Sequence, residues 1–298
     1  MPGQPDPQLS DTALEPAVAA DPLDENRLGA VWMTGEFQIY GGAVSTDGGH
    51  SWRSTEVPGL THCTGGQHAD YSDDPGVSFG PTGIAYVSSQ ADDPAPTGVF
   101  VSRSTDAGAS WSDPVAVAAA GTNDKQRSPV VVDPHDPDRA FLVWTRLRGQ
   151  EAAHVYFSSS QDGGRSWGLA TPAYVSSGVD LRPLHNVLHV FRDGTLLDTF
   201  VQLHTANSVS GIPKQRDDLL AIRSVDSGQT WSAPVRIGDT SDAEPQYAGH
   251  SVSAEPIVQP DVVPDGTVYA GWADISSSTS SRVLMASSHD EGRTWSTR

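Results

Sequence analysis

Apolar residues in this chain come in short runs, broken every few positions by Gly, Pro, Asp or Ser, and no longer window carries a helical apolar face. The runs come in pairs. Glu15-Pro16-Ala17-Val18-Ala19 leads through Asp21-Pro22 to Leu28-Gly29-Ala30-Val31-Trp32, and Ser128-Pro129-Val130-Val131-Val132 leads through Asp133-Pro134 to Phe141-Leu142-Val143-Trp144. Glu255-Pro256-Ile257-Val258 leads through Pro264-Asp265-Gly266 to Val268-Tyr269-Ala270-Gly271-Trp272. Asp74-Pro75-Gly76-Val77-Ser78-Phe79 and Asn186-Val187-Leu188-His189-Val190-Phe191 open two further units, whose second runs lack the Trp. Turn residues between β-prone runs predict antiparallel hairpins and an all-β chain.

After each pair comes one motif. Ser45 to Trp52, Ser104 to Trp111, Ser160 to Trp167, Ser224 to Trp231 and Ser288 to Trp295 all read S-x-D-x-G-x-[ST]-W, their Trp residues 59, 56, 64 and 64 positions apart. The pattern suits a locked hairpin turn, with the Asp carboxylate accepting backbone N–H groups, Gly at positive φ, and Trp folded back as a buried plug. On these residues it resembles the Asp-box, or bacterial neuraminidase repeat, in which Asp47, Asp106, Asp162, Asp226 and Asp290 are structural. Repetition at this period predicts a β-propeller of four-stranded antiparallel blades, five of them visible, with each motif at the turn between third and fourth strands. The blades span roughly 15–58, 74–117, 128–176, 186–237 and 255–298, behind an N-terminal extension of residues 1–14. Trp32, Trp144 and Trp272 close second strands, as packing between blades or as platforms for a sugar.

The motifs then lie at the edge opposite the starts of the first strands, so a pocket is expected from the loops entering first strands and leaving second ones. Asp74 and Glu255 are the best placed acids. Arg127, Arg146 and Arg182 are the best placed bases, with Asn186 beside them, and Lys125 either holds a substrate carboxylate or pairs with Asp124. The same loops carry Glu36, His204, Arg216, Asp217, Asp218 and Asp274. Paired carboxylates can protonate a leaving oxygen and guide water or act as nucleophile, and arginine forks can hold an acidic sugar. Catalytic roles for Asp74 and Glu255, and substrate-binding roles for Lys125, Arg127, Arg146, Arg182 and Asn186, are the resulting expectations, with a glycan or glycoconjugate as partner.

Composition narrows the chemistry. With 37 acidic against 18 basic residues and a net charge of −19, a nucleic-acid partner is excluded in favour of solubility or an extracellular, salty setting. No apolar run reaches the length of a membrane span, so membrane insertion is not expected. The ten His residues show no ligand spacing and Cys63 stands alone, so neither a metal nor a cofactor is expected, and Cys63 is an inert thiol or a nucleophile. No G-x-S-x-G elbow, phosphate loop or dinucleotide fingerprint occurs. The amino terminus shows no signal peptide; either an export signal has been trimmed or the protein stays inside the cell.

The five motifs, with Glu15-Pro16, Asp21-Pro22, Cys63-Thr64-Gly65-Gly66 and Asn123-Asp124-Lys125, resemble a bacterial exo-sialidase-like group within the sialidase superfamily, from about residue 15 onward. The resemblance implies a six-bladed propeller, a carbohydrate-facing mouth, an exported protein and exo-acting glycoside hydrolysis. Residues 1–14 hold no arginine and no F/Y-R-I-P segment, and the surroundings of Tyr247 do not match the sialidase nucleophile, so the sialidase catalytic set does not carry over. A non-catalytic glycan- or protein-binding propeller is the alternative. Because only Ser296-Thr297-Arg298 follow the fifth motif, the fifth blade is expected to lack its outer strand, leaving a gap, a fragment, or closure by residues 4–12.

Overall fold

A computed structural model describes residues 13–34, 39–66, 71–92, 98–118, 123–125, 129–147, 152–204, 216–241, 246–247, 250–251, 258–277 and 280–297. Blade 1 is β1 (Leu14–Asp21), β2 (Asp24–Thr34), β3 (Ile39–Ser45) and β4 (Arg53–Glu56). Blade 2 is β5 (Tyr71–Phe79), β6 (Ala85–Asp92), β7 (Gly98–Ser104) and β8 (Val115–Ala118). Blade 3 has β9 (Asn123–Lys125) and β10 (Val131–Val132) both paired to β11 (Ala140–Leu147), followed by β12 (His154–Ser160) and β13 (Thr171–Val175). Blade 4 is β14 (Leu181–Val190), β15 (Leu196–His204), β16 (Asp217–Ser224) and β17 (Val235–Thr240). A hairpin of β18 (Gln246–Tyr247) and β19 (His250–Ser251) precedes blade 5, made of β20 (Gln259–Val262), β21 (Val268–Ser277), β22 (Ser280–Ser288) and β23 (Ser296–Thr297).

The four main strands of each blade form a sheet in chain order, β9 being an addition to blade 3, and the fold is a β-propeller with five four-stranded antiparallel blades. Blade 5 does have an outer strand: Ser296 and Thr297 pair with Ser287 and Ala286, so the expectation of a missing strand is corrected. The sixth blade implied by the resemblance does not occur among the described residues, and residues 4–12 lie outside them. Two compact units divide the chain, Met1–Arg146 with Phe157–Thr171 and Leu147–Tyr156 with Pro172–Arg298. In the first, Val31, Met33 and Tyr40 of blade 1 bury against Val77, Val87 and Phe100 of blade 2. In the second, Leu197, Val201 and Leu219 of blade 4 bury against Val268, Ala270 and Trp272 of blade 5. No helix among the described residues is long and apolar enough to cross a membrane.

The Asp-box is a lock of side chains around two left-handed residues. In the first, Ser45 Oγ donates to Asp47 Oδ1 at 2.8 Å and accepts the N–H of Gly49 at 2.9 Å. Asp47 Oδ1 also accepts the Ser51 N–H at 2.8 Å, while Oδ2 accepts the Ser51 hydroxyl at 2.6 Å. The same bonds recur around Asp106, Asp162, Asp226 and Asp290. Positive φ falls on Gly49 as expected and also on the residue before it; there the third box also has glycine, Gly163, but the second, fourth and fifth carry Ala107, Ser227 and Glu291, side chains that the lock holds in a conformation glycine would take at no cost.

The box tryptophans are not the buried plugs expected. Trp52 is 44% exposed and Trp111, Trp167, Trp231 and Trp295 are half-buried at the turns between third and fourth strands. Trp144 and Trp272 are the buried ones, inside second strands rather than at their ends, and Trp272 packs against blade 4. Packing between blades is thus the role of Trp272, and burial removes both indoles as sugar platforms.

Two outcomes follow. Trp144→Ala should cost about 3–5 kcal/mol in urea unfolding, and Trp167→Ala clearly less, since only the first empties a closed core. In the boxes of Asp47, Asp106 and Asp226 the hydroxyl of Ser51, Ser110 or Thr230 is the main force holding the carboxyl at about 2; around Asp162 and Asp290 slight burial pushes upward and is outweighed by Ser166 and Thr294. The stabilisation is complete above the ordinary carboxylate pKa and is lost as pH falls towards 2, so thermal scans should show the midpoint falling across that acidic window.

Candidate functional site

The start of β2 pairs with the end of β3 at Leu28 and Ser45, beside the box, whereas the start of β1 pairs with the end of β2 at Leu14 and Met33. First-strand starts therefore lie at the edge away from the box. Close to this edge the first strand bulges in three blades. Glu15-Pro16 stands opposite Trp32 alone, Asp74-Pro75 opposite Ser89, and His185-Asn186 opposite Phe200. The first bulge residue is left-handed each time, with φ of 47°, 52° and 58°. That site usually takes glycine; Asp and His are tolerated there, Glu less so, and holding such residues left-handed costs about 1–3 kcal/mol each.

Pairing explains how the conformation persists. Pro16 and Pro75 lack the N–H that a bulge leaves unpaired, and a Cβ on Gly76 would lie 2.6 Å from Ser88 Oγ and 2.9 Å from Pro129 Cα, so the chain after Asp74 can pass only as glycine. The outcome is an ionisable side chain re-aimed at the equivalent place in blades 1, 2 and 4. By sequence the next members are Ser128-Pro129 and Glu255-Pro256, whose first residues lie outside the described residues.

Among the expected site residues, Asp74 is half-buried at the bulge of β5. Arg182 and Asn186 share β14, Arg182 ahead of its bulge and Asn186 within it, and Arg146 is half-buried near the end of β11. Lys125 ends β9 with its side chain outside the described residues, as are Arg127, Glu255 and Glu36 altogether. Cys63 is exposed in a short 3-10 turn, His62–Thr64.

Asn186 departs from the repeat. Where other blades have Pro, its buried amide donates to Asp198 Oδ2 at 2.8 Å. Asp198 is fully buried at a β15 position where the register of other blades puts Ala30, Val87 and Ala270. Burial pushes its carboxyl up to about 8, against the smaller downward pull of the Asn186 bond, so it is neutral at neutral pH.

At the same edge of blades 4 and 5 lies an acid–arginine network that sequence reasoning found only in part. Arg216 Nη2 donates to Asp274 Oδ1 at 2.6 Å and its Nε to Asp239; Arg282 Nη2 donates to Asp274 Oδ2 at 2.7 Å. Arg236 joins Asp218 at 2.9 Å and Asp239, and His204 Nε2 lies 3.3 Å from Asp218. Burial pushes the Asp239 and Asp274 carboxyls up, but Arg216 and Arg236 at the first and Arg282 and Arg216 at the second hold both below their usual range. Asp239, Arg236 and Arg282 were missed because they lie inside strands β17 and β22, where the repeat pattern gives no hint of a charge cluster. Each of these three arginines is already matched to carboxylates. Among the described residues no group of three or more His, Cys, Asp or Glu could hold a metal ion.

A family model described as BNR repeat-like domain matches residues 83–298. No curated protein matches the chain. Similar solved structures include a Penicillium chrysogenum alpha-L-arabinanase complexed with arabinobiose, with 16% identity, 96% of this chain and 80% of that chain covered, and a TM-score of 0.64. An alpha-L-arabinofuranosidase from Fusarium graminearum is 14% identical over 96% of this chain and 80% of its own, with a TM-score of 0.60. A Hadza microbial sialidase is 16% identical over 91% of this chain and 54% of its own, with a TM-score of 0.55. At these identities the likeness shows the fold, and these neighbours are glycoside hydrolases.

The pair Asn186–Asp198 makes a testable pH dependence. Between the unfolded pKa of about 3.9 and the folded value of about 8, the native state keeps a proton that the unfolded chain has lost. Stability should therefore fall with rising pH, by up to about 1.4 kcal/mol per pH unit, and level off above 8. The double variant Asn186→Pro, Asp198→Ala, which installs what blades 1 and 5 carry, should flatten this dependence in urea unfolding series run from about pH 5 to 9.

Proposed function

Because this chain belongs to the family of BNR repeat-like domain proteins, we propose that it processes glycans as an exo-acting glycoside hydrolase. The observation that carries the reading is the recurrent strained bulge, which spends conformational energy to aim Glu15, Asp74 and His185 from equivalent positions. Strain kept in several blades for an ionisable side chain is hard to account for by packing, since Gly would hold the same left-handed turn more cheaply.

In this reading Asp74 and Glu255 form the catalytic pair. One carboxyl protonates the glycosidic oxygen as the bond breaks, and the other carboxylate meets the developing cation at the sugar carbon, as base for water or as nucleophile. Lys125, Arg127, Arg146, Arg182 and Asn186 are proposed to bind the substrate. Sialidase-type specificity, with an acidic sugar held by arginine forks, is the finer form of the proposal; arabinobiose in the Penicillium enzyme makes a neutral pentoside the other substrate to try. An exported protein is the proposed setting. A non-catalytic glycan-binding propeller is favoured by one feature: the Asn186 amide is spent on Asp198.

The test is a panel of fluorogenic sialosides, α-L-arabinofuranosides and other glycosides, read beside a glycan array. Turnover of one class, reduced about a hundredfold or more by Asp74→Asn in a folded protein, is the expected result. Array binding without turnover would establish the binding propeller, and neither signal would sink both.

A further inference from the structure

In blades 1, 2 and 4 the third strand reaches the box of the next blade through the residue just before its final serine. In blade 2 this is Arg103, whose guanidinium lies 5.8 Å from the Tyr86 ring centre while Tyr86 donates to the Gly163 carbonyl of the third box. In blade 4 it is Arg223, which pairs with Glu291 of the fifth box at 2.8 Å. In blade 1 the same place holds Val44, and a Cβ on Gly108 of the second box would lie 2.7 Å from its Cγ1. The short side chain reaches the box but fills no more. A cleft of about 230 Å³ remains there, lined by Val44, Thr46, Trp52, Arg53, Asp106 and Ala107.

The lining is amphipathic. Trp52 is 44% exposed, and its Nε1–H is tied to the Gly49 carbonyl at 3.0 Å, so an indole face is presented in a fixed orientation. The next residue, Arg53, occupies the place of Ser112, Gly168, Ser232 and Ser296 in the other blades. It is exposed, and among the described residues it has no ion pair. Asp106, held at about 2 by the Ser110 hydroxyl, is a permanent anion whose oxygens already accept Ser104 and Ser110. One cation and one anion leave the cleft without net charge.

We propose that this cleft on the box edge is a glycan-binding site, separate from the bulges, that takes one ring of a neutral saccharide. The apolar face of the ring stacks on Trp52, and Arg53 and the Thr46 hydroxyl meet its hydroxyl groups. Asp106 disfavours a sugar carboxylate here. The proposal is independent of hydrolysis, since none of these residues lies at the bulges.

The repeat supplies the variants for the test. Val44→Arg installs the residue of blades 2 and 4 and fills the cleft; Arg53→Ser installs that of blades 2, 4 and 5; Trp52→Ala removes the platform. Arabinobiose, xylobiose, cellobiose and 3′-sialyllactose are each titrated against the folded proteins, followed by tryptophan emission and calorimetry. At least one neutral disaccharide should bind with a change in emission, weakened about tenfold or more by Val44→Arg and by Trp52→Ala, while Asp74→Asn alters it less than about twofold. Failure of every neutral disaccharide, binding of sialyllactose alone, or undiminished affinity in folded Val44→Arg would each overturn the proposal. Loss of turnover with this binding intact would instead count only against the hydrolase reading.

Discussion

Every blade depends on a serine hydroxyl that hydrogen-bonds both an aspartate side chain and a glycine N–H, as Ser45 does between Asp47 and Gly49. Two successive left-handed residues would otherwise be an unfavourable way to turn a chain, above all where the first is Ala107, Ser227 or Glu291. The aspartate outweighs that cost by collecting a serine hydroxyl, a backbone N–H and a second hydroxyl with its two oxygens, all donors to an ionised acceptor. Once the turn is locked, the register of the third strand is set from its final serine, and through it the second and first strands follow. A one-residue slip would turn each core side chain to the wrong face, so a small polar lock at the rim governs burial deeper in the blade.

At the far edge the chain meets the opposite situation. The bulges of β1, β5 and β14 are kept with Glu, Asp and His in a conformation that suits glycine. The two edges thus differ in kind: one uses charge to secure backbone geometry, the other uses backbone geometry to aim charge. The acid–arginine network of blades 4 and 5 adds a third use, since three arginines there hold the Asp239 and Asp274 carboxylates ionised.

A repeat also makes its exceptions visible. Val44 and Arg53 in blade 1, and Asn186 with Asp198 in blade 4, stand where sister blades show that packing is satisfied by other residues. Each exception changes chemistry locally: the first opens a cleft beside an exposed indole, the second buries a carboxyl that retains its proton. Folding alone does not demand either.

The box spacing by itself determined the all-β class, the five units and the location of each locked turn, because that turn is made by residues close together in sequence and its donors and acceptors can be counted from their types. It also placed Asp74, Arg182 and Asn186 at or near the edge away from the boxes. Strand ends and burial were decided elsewhere. Whether a tryptophan is a plug or a platform depends on how many neighbours surround it, which is why Trp52 is exposed while Trp144 is closed in. The two-residue outer strand at Ser296 and Thr297 forms because β22 offers ladder partners, a term of the sheet and not of the segment. An acid or Ser before Pro opens four of the units in the sequence, but only tertiary structure shows that His185-Asn186 belongs with Glu15-Pro16 and Asp74-Pro75 as one bulge. Their likeness lies in a left-handed φ imposed by the second strand opposite, and in residues such as Asp198 whose charge state is fixed by burial.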